Sequence, residues 1–141
     1  MLSDLINVLN FAGQSEAFNF TREEKVIGTW VDGKPLYQKV LTGNLGTVTA
    51  VAITSAPAQV LWVIDSTIQI HKIFGNLKYY TSSNQYGFVY FPGGLYSTTA
   101  TNFTNALCCL VVDNKLTAFV SGAHFSNQPY EVVVQYTKTT D

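Results

Sequence analysis

An all-β fold is what this 141-residue sequence predicts: a small antiparallel β-sandwich, jelly-roll-like, preceded by a short N-terminal helix. Two observations carry the β prediction. Residues 26–41, VIGTWVDGKPLYQKVL, place two β-forming runs on either side of an Asp-Gly dipeptide, the strongest short-range hairpin signal. From Lys25 onward, short runs rich in Val, Ile, Thr and aromatic residues recur with turn residues between them. Many short strands with regular turns build a sandwich or a barrel.

The N-terminus differs. Leu2, Ile6 and Leu9 fall at i, i+4 and i+7 with Leu5 beside them, the spacing of one helix face. Ser3 suits the start and Gly13 the end, so a helix is expected over 2–11. A lone helix this short is marginal in water, so it must dock on its own sheet or on symmetry mates around a common axis. Residues 13–23 read as linker. The expected division is therefore 1–23, helix and linker, and 24–141, the β domain.

With Asp32-Gly33 at the centre of a type I′ turn, Val31 opposes Lys34 and Trp30 opposes Pro35. The latter is a non-hydrogen-bonded position, where the missing proline N–H costs the ladder nothing. One face of the hairpin then carries Val26, Trp30 and Tyr37, and the other Ile27, Val31 and Leu36. Both are apolar, and such a ribbon needs cover on two sides. Leu2, Ile6, Leu9, Trp30 and Tyr37 are accordingly the candidate oligomer-interface residues. Further strands are expected over 47–54, 60–65, 67–72, 77–81, 86–91, 107–113, 115–120 and 130–137, with Asp113-Asn114-Lys115 as a second tight hairpin.

Composition narrows the function. Charged residues are 12% of the chain against about a quarter in ordinary domains. Neutral polar side chains, or copies of the chain packed on one another, must then cover the surface. The formal net charge of -1 and the scattered lysines offer nothing to nucleic acid. No apolar run approaches the roughly 20 residues of a membrane span, and the start lacks the basic region of a signal peptide. Cys108 and Cys109, adjacent on a strand, point to opposite faces and read as free, packed thiols.

Candidate chemistry is sparse. His71 and His124 stand in no metal-ligand spacing, and no nucleophile elbow or phosphate loop is present, so neither a metal, a cofactor nor an enzymatic activity is expected. Asp65, closing the run VLWVID, reads first as a turn-former and second as a functional carboxylate. Residues 76–103, NLKYYTSSNQYGFVYFPGGLYSTTATNF, are another matter. They set five tyrosines among Ser, Thr, Asn and Gly, the composition of adaptable recognition surfaces. Tyr79, Tyr80, Asn84, Tyr86 and Tyr96 are the candidate ligand-binding residues, with a neutral saccharide as the suited ligand; the competing reading makes the same tyrosines core and interface.

EEKVIGTWVDGKPLYQKVL, residues 23–41, together with the ending VVVQYTKTTD, residues 132–141, resembles a domain found at the C-termini of bacteriophage tail fibres, tail spikes and other tail structural proteins. The resemblance covers about a fifth of the chain but brackets nearly all of it; residues 42–131 match only loosely. It implies a virion component at the phage tail tip, made in the host cytoplasm. It also implies a homotrimer, other tail proteins as partners, and a terminal domain that reads a host cell-surface saccharide. The alternative within the same family is a purely structural trimerising cap or baseplate part. No receptor-binding residue carries over, because the matching stretches look like scaffold.

Overall fold

A computed structural model describes residues 20–49, 56, 58–82, 85–93 and 107–141, with backbone alone for 80–82. The fold is all-β in these residues. Eight strands are present: β1 (Lys25–Thr29), β2 (Pro35–Asn44), β3 (Ala58–Val63), β4 (Ile68–Ser82), β5 (Gln85–Phe91), β6 (Leu107–Val112), β7 (Lys115–Val120) and β8 (Pro129–Lys138). One 3₁₀ turn, Ala123–Phe125, is the only helical element among the described residues. The helix expected over 2–11, with Leu2, Ile6 and Leu9, lies outside them.

The strands form two antiparallel sheets, one ordered β1-β2-β8-β4-β5 and the other β3-β7-β6. The C-terminal strand β8 is thus the centre of the larger sheet. Its alternation shows why: Val132, Val134 and Tyr136 are buried on the face that joins the core. Leu41 of β2, Leu77 of β4 and Phe91 of β5 share that face. From the smaller sheet Leu107, Cys109, Leu116, Ala118 and Val120 enter the same core, and Phe125 closes one end. Leu77, Leu116, Val132 and Val134 have no exposed surface, each contributing about 1.5–3 kcal/mol of hydrophobic stabilisation. We call the core side of the five-stranded sheet its inner face and the opposite side its outer face.

The first hairpin differs from expectation. The Gly33 N–H donates to the Trp30 carbonyl and the Trp30 N–H to the Lys34 carbonyl, so three residues, Val31, Asp32 and Gly33, form the loop. A type I′ turn requires positive φ at two successive residues, and here only Gly33 adopts it, at 88°. The Asp32 Oδ1 accepts the Lys34 N–H at 3.1 Å, which fixes this wider turn. Pro35 consequently pairs with Thr29, and Trp30 leaves the ladder. The two-residue type I′ geometry occurs instead between β6 and β7, where Asp113 and Asn114 take φ of 48° and 56° and Val112 pairs with Lys115.

Two other strand boundaries differ. Residues 67–72 and 77–81, expected as separate strands, belong to the single 15-residue β4. Gly75 lets the strand continue: at φ 144° a Cβ there would sit 2.0 Å from the Glu131 carbonyl oxygen of β8. Of the strand expected over 47–54, the described part, 47–49, is not strand. Asp65 is a turn-former. Its Oδ1 accepts the Thr67 N–H at 2.8 Å and its carbonyl the Ile68 N–H at 3.0 Å. Hydrogen bonding to Thr67 holds its carboxyl below the usual range. Cys108 and Cys109 are free and buried; burial pushes the Cys109 thiol up to about 12.

Candidate recognition face

The outer face of the five-stranded sheet is closed at one end. Trp30 stacks on His71 with ring centroids 4.1 Å apart, and His71 Nε2 lies 2.9 Å from the Thr137 hydroxyl. Next along the strands Gln135 donates to Gln38 at 2.8 Å. Beyond this pair the polar cover stops. Val40, Val133 and Phe74, on β2, β8 and β4, stand in register across the sheet, and Phe20 lies over them. With Gly75, Asn76 and Glu131 they line a depression of about 270 Å³.

A second depression of about 270 Å³ adjoins the first, lined by Asn76, Lys78, Phe88, Pro129 and Glu131. Asn76 and Glu131 are cross-strand partners and belong to both, so the two make one shallow groove running to the β5 edge. The period of two along β5 sends Val89 and Phe91 into the core and Tyr86, Phe88 and Tyr90 outward. These three rings are 61%, 44% and 71% exposed, a row of aromatics that water does not favour leaving bare. Tyr86 meets Phe88 edge-on at 6.0 Å, and the Lys78 ammonium sits 4.2 Å from the Tyr86 ring centroid. The groove thus offers flat aromatic faces beside a carboxylate, a carboxamide and an ammonium. That set can stack on the apolar face of a sugar ring while exchanging hydrogen bonds with its hydroxyls. One carboxylate lines it, whereas glycoside hydrolysis uses a pair. Among the described residues no three His, Cys, Asp or Glu side chains come together as a metal site.

The sequence-predicted ligand residues are not all on this face. Tyr86 is. Tyr79 is turned inward, packed edge-on against Phe125 at 5.4 Å, because it pairs with Gly87 and so shares the face of Val89 and Phe91. Tyr80 pairs with Tyr86 through the backbone. Asn84 and Tyr96 lie outside the described residues. Tyr90 is one of the five tyrosines of the stretch 76–103 but was not among the candidate ligand residues, and Phe88, Asn76, Lys78 and Glu131 were missed by sequence reasoning. The Tyr-x-Phe-x-Tyr alternation of β5 was a usable signal; nothing local connects Glu131 to it.

Of the predicted interface residues, Trp30 and Tyr37 make contacts within the subunit, and Leu2, Ile6 and Leu9 lie outside the described residues. Trp30 stacks as described. Tyr37 stacks on Tyr136 at 5.7 Å and donates its hydroxyl to Asp141 Oδ2 at 2.8 Å, which raises the phenol's pKa. Around this pair the two ends of the domain are tied together. Tyr136 donates to Glu24 Oε2, and Lys138 Nζ reaches Glu24 Oε1 at 2.5 Å and lies over the Tyr37 ring at 4.3 Å. Lys34 Nζ donates to the carbonyls of Lys138, at 3.0 Å, and Asp141, at 2.8 Å. Desolvation works against the Glu24 carboxylate, but the hydrogen bonds from Lys138 and Tyr136 outweigh it and hold the carboxyl below its usual range. Burial, and then the bond to Glu24, drive the Tyr136 phenol well up. Val26 and Val31 of the same ribbon stay 53% and 92% exposed.

No known protein family, curated protein or solved structure matches the chain. No helix among the described residues is long and apolar enough to cross a membrane.

Proposed function

We propose that this chain is a host-attachment domain of a bacteriophage tail fibre or related tail structure, a jelly-roll-like sandwich that binds a cell-surface saccharide on the outer face of β4 and β5. The observation that carries the reading is the exposed row Tyr86, Phe88 and Tyr90 beside Asn76, Lys78 and Glu131. It is a non-catalytic surface: broad rings give contact area at low entropic cost, and the planar polar groups give orientation. The tail-fibre assignment draws on the resemblance of residues 23–41 and 132–141. Those two stretches meet in the Glu24–Tyr136–Lys138 and Tyr37–Asp141 contacts, which supports reading them as scaffold for one domain. In this reading the chain assembles as a homotrimer at the virion's tail tip.

The test is binding of purified protein to arrays of bacterial surface polysaccharide and to whole cells. The double substitution Tyr86→Ala and Tyr90→Ala removes binding, while thermal stability and molecular mass stay unchanged. Equal binding by this variant and the parent refutes the proposed face. Absence of binding to any bacterial envelope refutes adhesion and leaves the structural role. That second reading, a trimerising cap or baseplate part contacting only other tail proteins, is favoured by the exposure of Val26 and Val31. Light scattering decides its first requirement, a mass three times that of the 15.5 kDa chain.

A further inference from the structure

We infer, building on the saccharide reading of this face, that the groove selects an uncharged saccharide of at least two sugar units, with Glu131 as its polar anchor. Four residues stand in one register row across the sheet. Tyr90 on β5 pairs with Asn76 on β4, Asn76 with Glu131 on β8, and Glu131 with Thr42 on β2. A ring platform, a carboxamide, a carboxylate and a hydroxyl thus follow one another perpendicular to the strands. A ligand that uses them must lie across the strands, from β5 inward.

Within that row Glu131 decides the class of sugar. It belongs to both depressions, and its carboxylate is the one carboxylate in either. Phe74 and Val133 border it on one side, Pro129 and Phe88 on the other. Among the described residues it makes no ion pair and no side-chain hydrogen bond, whereas the Lys78 ammonium is held over the Tyr86 ring. An ionised carboxylate only accepts, and its two oxygens suit the two donors of adjacent hydroxyls on a sugar ring. Hydrogen bonds of this charge-assisted kind are about twice as strong as neutral ones. An anionic sugar in the same place brings like charges together and leaves the oxygens without donors. Distance sets the length of the ligand. β5 and β8 lie two strand spacings apart, about 10 Å, beyond the reach of one pyranose ring stacked on the β5 row. The next sugar of a chain reaches Glu131.

Arrays that set acidic bacterial polysaccharides beside their carboxyl-reduced, uncharged forms test this with the whole 141-residue chain. The parent is expected to bind the uncharged member of each bound pair more tightly. Glu131→Gln keeps the size of the side chain and removes its charge. Its affinity for the uncharged members should fall about tenfold, the scale of one hydrogen bond to a charged group, and its discrimination against the acidic members should shrink. Glu131 is exposed, so the urea midpoint of the variant should stay with the parent's. Binding of acidic members as tight as that of the uncharged ones overturns the inference. So does release of bound protein by free monosaccharides as effectively as by disaccharides of the same sugars. Unchanged binding by Glu131→Gln, where Tyr86→Ala with Tyr90→Ala loses it, removes the anchor and leaves the saccharide-binding face standing. No binding by the parent defeats the face and the anchor together.

Discussion

Replacing Gly75 with alanine is expected to push β4 away from β8 and to destabilise the domain severely. The new Cβ would lie 2.0 Å from the Glu131 carbonyl oxygen and 2.9 Å from both the Glu131 carbonyl carbon and the Val132 Cα. Ordinary van der Waals contact begins at 3.4 Å, so the backbones must part by 1.4 Å along that line. Neither side gives easily. Residue 75 is mid-strand, paired with Phe91 on one side and Val132 on the other, and β8 is held by β2 beyond. Overpacking of this kind costs about 1–3 kcal/mol, and a φ of 144° on an L residue adds about 1–3 kcal/mol. The sum, about 4 kcal/mol, is a large share of a typical net stability of about 5–15 kcal/mol. Urea denaturation followed by tryptophan fluorescence measures it. With a slope of about 2 kcal/mol/M, the midpoint falls by about 2 M. Gly28→Ala is the control, since nothing lies within 4 Å of its Cβ position, and its midpoint should hold or rise slightly. A Gly75→Ala midpoint within about 0.5 M of the parent would refute the close-approach argument.

Other expectations follow from the same structure. Leu77→Ala removes a side chain with no exposed surface from the centre of the core and should cost about 2–5 kcal/mol, read by the same denaturation. The Glu24 carboxyl has a folded-state pKa below its ordinary 4.5, so the unfolded chain binds the proton more readily. The stability it contributes is complete above about pH 5, and it is lost as pH falls through the folded-state value. Glu24→Gln should therefore differ from the parent at pH 7 and converge with it once the pH has fallen below the folded-state value; a constant difference would sink the assignment. The buried Cys109, with its thiol pushed to about 12, and the buried Cys108 should not react with a disulfide reagent in the native protein. Two equivalents should react in urea, and rapid native-state labelling would contradict the packing.

How far the residues alone announce this molecule is best seen strand by strand. The runs 107–113, 115–120 and 130–137 coincide with β6, β7 and β8 to within a residue or so, because each combines β-branched composition with a turn that has one good solution. Asp113-Asn114 tolerates positive φ twice and makes the type I′ turn. Asp32-Gly33 has the stronger signature, yet only its glycine goes left-handed, and the one-residue difference took Trp30 out of the ladder. The strands expected over 67–72 and 77–81 left Gly75 between them, whereas it lies mid-strand at the close approach of β8, more than fifty positions away. Tyr79 and Tyr86 looked like one surface because they share a composition, and pairing across β4 and β5 sets them on opposite faces.

The division has a physical origin. Secondary-structure type follows from the period of apolar residues and from local backbone preferences, which act over a few positions and are written in the order of the letters. Face, register and neighbour follow from which strands meet, a choice made by the burial of the whole core at once. So the sequence by itself determined the all-β character and a hairpin within 26–41. Only the tertiary structure decided that β8 lies between β2 and β4, that Glu24 meets Lys138, and that Glu131 lines one groove with Asn76 and Phe88.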